Sequence, residues 1–190
     1  MVKLLTFLKK ITAKKLIDSA SRAGVDSVKF QTYRTEKRVP KDSPIYDILR
    51  DCELPMDSFE VLKNHALEQG VQFFSTPFDL KSVDLLADLD VDMFKIASFD
   101  SVNHKLIERA SKKKKTTIIS LGMSNANEIK DAFTIADKHS KQVVLMHCIS
   151  SYPTSNENAN LMVINYLKNN YDCLVGQSDH TNDIKVPLYA

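Results

Sequence analysis

The sequence lacks the features that mark several large classes of protein. Its three cysteines, Cys52, Cys148 and Cys173, form no C-x-x-C pair and are odd in number, which excludes a disulfide framework or a zinc ribbon and favours a reduced, cytoplasmic protein. No apolar run is long enough to span a membrane, and the short apolar run within Met1–Lys10 has no small-residue cleavage site after it. We therefore expect a soluble protein without a membrane partner.

The charges give no indication of a nucleic-acid partner. The 26 basic and 24 acidic residues are spread along 190 positions and leave a formal charge of +2, whereas nucleic-acid binding needs a concentrated basic face. The one basic run, Lys112–Lys115, follows a helical pattern, and we interpret it as a solvated last turn. The length is sufficient for one domain with a sizeable core.

Segments with helical and strand-like patterns alternate along the chain. Gly24 is a natural helix stop, and Asp57 and Asn125, each followed three residues later by glutamate, predict capping boxes at helix starts. Residues 32–54 are polar and contain two prolines, so we predict an irregular excursion there. Six short β-favouring segments predict strands at Val25–Gln31, Val71–Thr76, Asp92–Ser98, Thr116–Gly122, Gln142–Cys148 and Cys173–Ser178.

The alternation of strands and helices implies parallel strand pairing with right-handed crossovers. No strand leads into a glycine-rich phosphate loop of the dinucleotide or P-loop type. Polar residues instead recur at the carboxyl ends of all six strands, and in a closed barrel these ends meet at one mouth. An open doubly wound sheet would spread them along an edge. We therefore predict an α/β fold of the (β/α)8 TIM type, incomplete because about six of the eight strands are present.

Lys95 lies in the middle of the strand-like segment 92–98. An ammonium buried in a strand is costly unless an anion or several acceptors meet it. A strand-borne lysine can also extend to the rim of a sheet and stay hydrated. Together with Lys29 and the hydroxyls at other strand ends, Lys95 suits an anionic ligand that carries phosphate or carboxylate groups.

The run Ser178-Asp179-His180 superficially matches a nucleophilic triad. Adjacent residues on a strand point to opposite faces, so these side chains cannot form a proton relay. Ser178 and His180 do share a face, which makes His180 a candidate metal ligand. A lone histidine is more often a structural hydrogen-bonding residue, however, and a metal needs further ligands.

Seven short motifs, in order between Ile11 and Leu188, resemble the catalytic barrel of the sialic acid (N-acetylneuraminate) synthase family, which includes the legionaminic and pseudaminic acid synthases. Each motif alone is weak, but the ordered set is specific. The motifs are VKFQ at 28–31, FSTPFD at 74–79, FKIAS at 94–98, SLGMS at 120–124, HCISSYPT at 147–154, NL at 160–161 and VGQSDHT at 175–181.

The resemblance implies a function. Members of that family condense phosphoenolpyruvate with an N-acylated amino-sugar aldehyde, using a divalent metal such as Mn2+ or Mg2+, and form a nonulosonic (sialic-type) acid for cell-surface glycans. In this chain the resemblance implies catalytic roles for Lys29, Lys95 and Tyr152, and a metal held by His180 that polarises the aldehyde. It implies substrate-binding roles for Gln31, Thr76, Ser98, Ser120, Ser150 and Ser178.

The sequence also departs from the family pattern. The family's first strand carries a glutamate and an Asn-His pair, which Val2–Leu8 does not contain, and the second metal-ligating histidine, on strand eight, would lie beyond Ala190. The small C-terminal domain through which family members pair has no counterpart, so homodimer formation stays open. We expect one truncated barrel domain over residues 1–190, weakly active or inactive on its own. Val2–Leu8 is either a substitute edge strand or a helix that fills the gap.

Two other functions remain open. One is an aldolase that uses Lys95 or Lys29 as a Schiff-base amine, a role that barrel strands can carry. The other is a non-catalytic barrel fragment that binds at most an anion or a partner subunit. For this chain by itself, the incomplete ends favour a non-catalytic fragment over an intact enzyme. They do not favour a non-catalytic ancestor.

Overall fold

The computed structural model describes the backbone of residues 2–190 and the side chains of residues 8–190. Helices and strands alternate in an α/β arrangement. The chain divides into two compact units, the first ending at Asp92 and the second beginning at Met93. The expectation of a single truncated barrel domain is not tested by this division and stays a prediction.

The first unit contains two parallel strands with helices around them. β1 (Ser27–Thr32) pairs with β2 (Gln72–Pro77), so that Gln31 lies opposite Thr76. The helices of this unit are α1 (Val2–Arg22), α2 (Thr35–Arg38), α3 (Tyr46–Cys52), α4 (Ser58–Glu68) and α5 (Leu80–Asp88). Its core consists of fully buried apolar side chains, among them Ile17, Phe59, Leu62, Phe73 and Leu86.

The second unit contains four strands that pair in parallel in chain order. They are β3 (Met93–Ile96), β4 (Thr116–Ser120), β5 (Gln142–His147) and β6 (Leu174–Gln177). The intervening and final helices are α6 (His104–Ser111), α7 (Ala126–Asp137), α8 (Met162–Asn170) and α9 (Lys185–Tyr189). The core of this unit is built from fully buried apolar side chains, including Phe94, Ile96, Leu106, Ile119, Leu145 and Leu167.

All six predicted strands form, but two expectations about other segments were wrong. The expectation of an irregular excursion at 32–54 was wrong for the residues that form α2 and α3. The helix α3 has seven residues and buries none of them, so it is shorter than the windows over which a helical apolar period is recognised. Val2–Leu8 belongs to α1, so the alternative of a substitute edge strand is also wrong.

The helix ends follow the sequence signals in part. Gly24 has φ of +77° just after α1, as expected of a helix-stop glycine. Asn125 forms the predicted capping box with Glu128 at the start of α7. The capping box predicted at Asp57 is wrong: its backbone is helical, and its side chain makes no cap hydrogen bond and pairs with Lys10 instead. A helical N-cap backbone does not direct the side chain towards the first N–H groups.

Among the residues that the structure describes, no helix combines the length and the apolar character needed to cross a bilayer.

The two cap positions provide a matched test of helix stability. Replacing Asn125 by alanine is expected to lower the free energy of unfolding by about 1 kcal/mol, because the N–H groups of Asn127 and Glu128 lose their acceptor. Asp57→Ala is the control, since it removes only a surface ion pair worth about 0.5 kcal/mol or less. Urea unfolding followed by circular dichroism measures both variants, and equal losses would contradict the cap assignment.

Candidate active site

Three of the predicted site residues lie in the first unit, at the carboxyl ends of β1 and β2. Lys29 and Gln31 alternate along β1, and Thr76 is the register partner of Gln31, so the three residues share one face of the strand pair. Thr76 is buried, whereas Lys29 and Gln31 line a cavity of about 420 Å³ beside α1. Arg38 donates a hydrogen bond to the Gln31 side-chain oxygen at 3.3 Å.

The ammonium of Lys29 is partly removed from water. Although part of the side chain is exposed, protein atoms around the cavity displace water, and this burial lowers the pKa of Lys29 below the usual value of a lysine. The charged form is therefore less favourable in the folded chain than in water. A bound anion would offset that cost, because an opposite charge nearby favours the ammonium.

In the second unit, Lys95 is buried and contacts Ser120. Only 9% of Lys95 is exposed, so the alternative of a hydrated lysine at the rim of the sheet is wrong. Lys95 lies opposite Ile118 on β4, and Ser120, two residues further along, presents its side chain to the same face. The Lys95 ammonium donates a short hydrogen bond to the Ser120 hydroxyl. A positive charge and a hydroxyl thus meet at the carboxyl ends of two adjacent strands.

Ser98 and Ser150 converge around Gly122, which follows β4. The Ser98 hydroxyl accepts a hydrogen bond from the Gly122 N–H at 3.2 Å and lies 3.2 Å from the Cys148 sulfur. A Cβ atom placed on Gly122 would lie only 2.8 Å from the Cys148 sulfur and 2.8 Å from the Ser150 hydroxyl. Glycine at this position therefore allows the segments that follow β3, β4 and β5 to approach one another.

The remaining predicted residues lie after β5 and β6. The N–H of Ser178 donates to the His147 carbonyl at 2.8 Å, which fixes the end of β6 beside β5. The His180 ring nitrogen Nδ1 lies 2.8 Å from the Ile149 carbonyl oxygen. Tyr152, which is 75% exposed, contacts the His180 ring, with centroids 4.2 Å apart and the ring planes tilted by 39°. Tyr152 and His180 therefore form one contact pair in this unit.

His180 fits one position in a metal site. A carbonyl oxygen can only accept, so Nδ1 carries the proton and Nε2 keeps a free lone pair. A histidine that binds a metal through one ring nitrogen typically donates a hydrogen bond from the other, as Nδ1 of His180 does to the Ile149 carbonyl. Within the described part of the chain, however, no group of three or more histidine, cysteine or acidic residues could hold an ion. These residues supply one ligand rather than a complete site.

The predicted absence of a catalytic relay at 178–180 agrees with the contacts of Asp179. Its carboxylate accepts from the Thr181 hydroxyl at 2.9 Å, while the Nδ1 atom of His180 is engaged by a backbone carbonyl. The side chains therefore do not form the serine–histidine–aspartate chain of hydrogen bonds that a relay needs.

A second cavity in the first unit contains none of the predicted site residues. This space of about 500 Å³ is lined by basic side chains, including Arg34, Lys37 and Lys81, and by the start of α5 with its cap residue Asp79. The Asp79 carboxylate already has hydrogen-bond donors within the chain, because it accepts from the Ser82 N–H and hydroxyl. We therefore do not place the substrate in this cavity.

The contacts among Ser98, Gly122, Cys148 and Ser150 form what we call the second-unit cluster. Sequence reasoning assigned no site role to two of its members, since Gly122 was noted only within a strand and a motif and Cys148 was used only to infer the redox compartment. Both lie inside motifs that carry the family resemblance, at 120–124 and 147–154, which is the one signal that could have found them. Their role depends on a close approach between strands, and a linear sequence does not report that distance.

Comparison with known proteins agrees with this geometry. Residues 16–190 match the model of the NeuB family. The chain belongs to the NeuB family. It is 34% identical to N,N'-diacetyllegionaminic acid synthase of Campylobacter jejuni over 195 residues, a match that covers 94% of this chain and 58% of the relative. The family resemblance predicted from the seven motifs is thereby confirmed.

Solved structures confirm the fold class. The N-acetylneuraminic acid synthetase of Leptospira borgpetersenii, crystallised in complex with citrate, aligns with a TM-score of 0.90 and 35% identity over 93% of this chain and 62% of that one. A truncated 3-deoxy-D-arabino-heptulosonate 7-phosphate synthase of Thermotoga maritima aligns over 90% of this chain and 60% of that one, with a TM-score of 0.68 and 12% identity, and shows the fold alone. These neighbours are TIM-type α/β barrels. The NeuB-family chain spans a little over half the length of the curated relatives it matches.

The partial desolvation of the Lys29 ammonium has a testable consequence for stability. Lys29→Met is expected to stabilise the NeuB-family chain near neutral pH, because methionine has no ammonium to desolvate. The folded pKa of Lys29 is lower than its unfolded value, so the wild type gains stability as the pH rises from the lowered pKa towards 10.5. The stability advantage of Lys29→Met over the wild type should therefore decrease as the pH rises from the lowered pKa towards 10.5.

Urea unfolding at a series of pH values measures this difference. Lys41→Met, which removes an exposed lysine of the same unit, controls for the loss of one positive charge. An advantage of Lys29→Met that does not change with pH would contradict the assignment of the effect to a desolvated ammonium.

Proposed function

We propose that the chain carries the phosphoenolpyruvate-binding part of a nonulosonic acid synthase, which condenses phosphoenolpyruvate with an N-acylated amino-sugar aldehyde. The observation that carries the proposal is the buried ammonium of Lys95 in contact with Ser120, in a chain that belongs to the NeuB family. In this reaction the methylene carbon of phosphoenolpyruvate bonds to the aldehyde carbon, water is consumed and inorganic phosphate leaves.

Lys95 supplies the main positive charge for the substrate in the second unit. Burying an ammonium costs free energy that hydrogen-bonding or anionic groups offset, and a carboxylate or phosphate is such a group. Phosphoenolpyruvate carries both anionic groups on one small molecule. Ser120 keeps the lysine side chain directed towards the shared face of β3 and β4, so that the charge is oriented before the anion arrives.

Hydroxyl groups supply the directional contacts. Ser98, Ser150 and Ser178 lie after β3, β5 and β6, and each hydroxyl can donate one proton to an anionic oxygen. In the first unit we assign Lys29, Gln31 and Thr76 as substrate contacts. The lowered pKa of Lys29 supports its assignment, since an anionic partner would offset the desolvation of its ammonium.

Tyr152 and His180 are assigned to the amino-sugar side of the reaction. Tyr152 is exposed and its ring contacts that of His180, so its ring and hydroxyl are accessible to a second substrate. His180 would hold a divalent cation, Mn2+ or Mg2+, through its free Nε2 atom, with other ligands completing the site. When bound, such a cation would polarise the aldehyde carbonyl.

Calorimetric titration of the chain with phosphoenolpyruvate, with and without Mn2+, tests the anion site. We expect binding that persists without metal and a Kd at least about tenfold weaker in Lys95→Met, because one charge-assisted hydrogen bond is lost. The variant should stay folded, since a methionine of similar length replaces a buried charge. Lys168→Met, at an exposed position on α8, is the control. Unchanged affinity in Lys95→Met, or no binding by the wild type, would overturn the proposal.

A second candidate function is a Schiff-base aldolase, which the lowered pKa of Lys29 favours because it increases the fraction of neutral amine. The condensation proposed above forms no imine. Incubation with pyruvate and borohydride, followed by mass spectrometry, is therefore expected to leave the mass unchanged. A stable adduct that disappears in Lys29→Met would favour the aldolase, and Lys41→Met would show whether labelling is specific.

A further inference from the structure

Cys148 is a buried thiol at the centre of the second-unit cluster. It follows β5, is only 4% exposed, and its sulfur lies 3.2 Å from the Ser98 hydroxyl oxygen. No disulfide involves it, since all three cysteines are free. Neither the motifs nor the proposed function assigns this thiol a task.

The hydrogen-bond inventory of Ser98 defines what the thiol can do. A serine hydroxyl has one proton to donate and two lone pairs that accept. The Gly122 N–H occupies one lone pair at 3.2 Å. If the Cys148 S–H occupies the other, the serine proton remains available for a ligand. If the serine proton points to the sulfur instead, Ser98 offers an incoming anion no donor.

We propose that Cys148 is a positioning residue that donates its S–H to Ser98 and thereby directs the Ser98 proton towards the anionic substrate. This inference rests on the proposed function, because it concerns the substrate that Ser98 contacts. The thiol acts through Ser98 and does not itself contact the substrate. When an anion binds, the favoured arrangement is the one in which the Gly122 N–H and the Cys148 S–H both donate to Ser98.

Gly122 makes this arrangement sterically feasible. A Cβ atom at this position would lie 2.8 Å from the Cys148 sulfur and 2.9 Å from the Cys148 carbonyl oxygen. The carbonyl belongs to the backbone and cannot rotate away, so a larger residue would separate Gly122, Cys148 and Ser98. Because Gly122 has no side chain, Gly122, Cys148 and Ser98 can lie close enough to form these hydrogen bonds.

The first arm of the test measures phosphoenolpyruvate affinity by calorimetry in matched cysteine variants. Cys148→Ala should weaken binding roughly three- to tenfold, the effect of losing one neutral hydrogen bond. Cys148→Ser, which keeps a donor, should recover most of that loss. Cys173→Ala, at a half-buried cysteine before β6, should match the wild type. In a Ser98→Ala background, Cys148→Ala should cause no further loss, because the group it positions is gone.

The second arm does not depend on substrate binding. The chain has four glycines, and Leu121-Gly122 is its only leucine–glycine pair. Labelling leucine carbonyls with 13C and glycine nitrogens with 15N therefore isolates the amide signal of Gly122. Because this N–H donates to Ser98, its proton shift should move in Cys148→Ala, return towards the wild-type value in Cys148→Ser and stay fixed in Cys173→Ala.

The two arms separate failure of this inference from failure of the proposed function. If the wild type does not bind phosphoenolpyruvate, the proposed function fails, and the Gly122 signal still decides whether Cys148 orders Ser98. An unmoved Gly122 signal in Cys148→Ala, or a loss of affinity that serine does not rescue, would overturn the positioning role. A cysteine that only fills space would give a loss of affinity that serine does not rescue, since alanine and serine would then disturb the site alike.

Discussion

The second unit depends on the burial of a single positive charge between two parallel strands. Lys95 replaces what would otherwise be an apolar residue on β3, and its ammonium points along the face that it shares with Ser120. A buried ammonium opposes folding unless the surrounding groups compensate it. Burial of apolar side chains, including Phe94, Ile96 and Ile119, stabilises the unit and offsets this cost. Such a trade of stability for a charged group is characteristic of functional sites.

Hydrogen bonds of Ser98 and Ser101 connect the segments that follow β3 and β4. Ser98 is held by the Gly122 N–H, and its own carbonyl accepts from Ser101, whose hydroxyl in turn contacts Ser124. These bonds tie the turn after β3 to the turn after β4. Segments fixed in this way lose little further freedom when a ligand binds, so less of the binding free energy is spent on ordering them.

Much of the fold could be predicted from the sequence because its signals are local. The capping box at Asn125 and the stop at Gly24 each depend on residues within one helical turn, and both occur in the structure. Asp57 shows the limit of such reasoning, since its sequence spacing is the same as that of Asn125 but its backbone is helical. The helix α3 was missed because its seven residues are fewer than the window over which a helical apolar period is recognised.

The sequence by itself determined the alternation of strands and helices, the family and the set of polar residues at the strand ends, since these depend on composition, spacing and ordered motifs. Only the tertiary structure decided that Lys95 is buried beside Ser120 and that the Tyr152 ring contacts the His180 ring. It also decided that Gly122 lies where a side chain would collide with Cys148 and Ser150. The physical reason is that these facts are distances between residues brought together by strand register and loop approach, and chain order alone does not fix such distances.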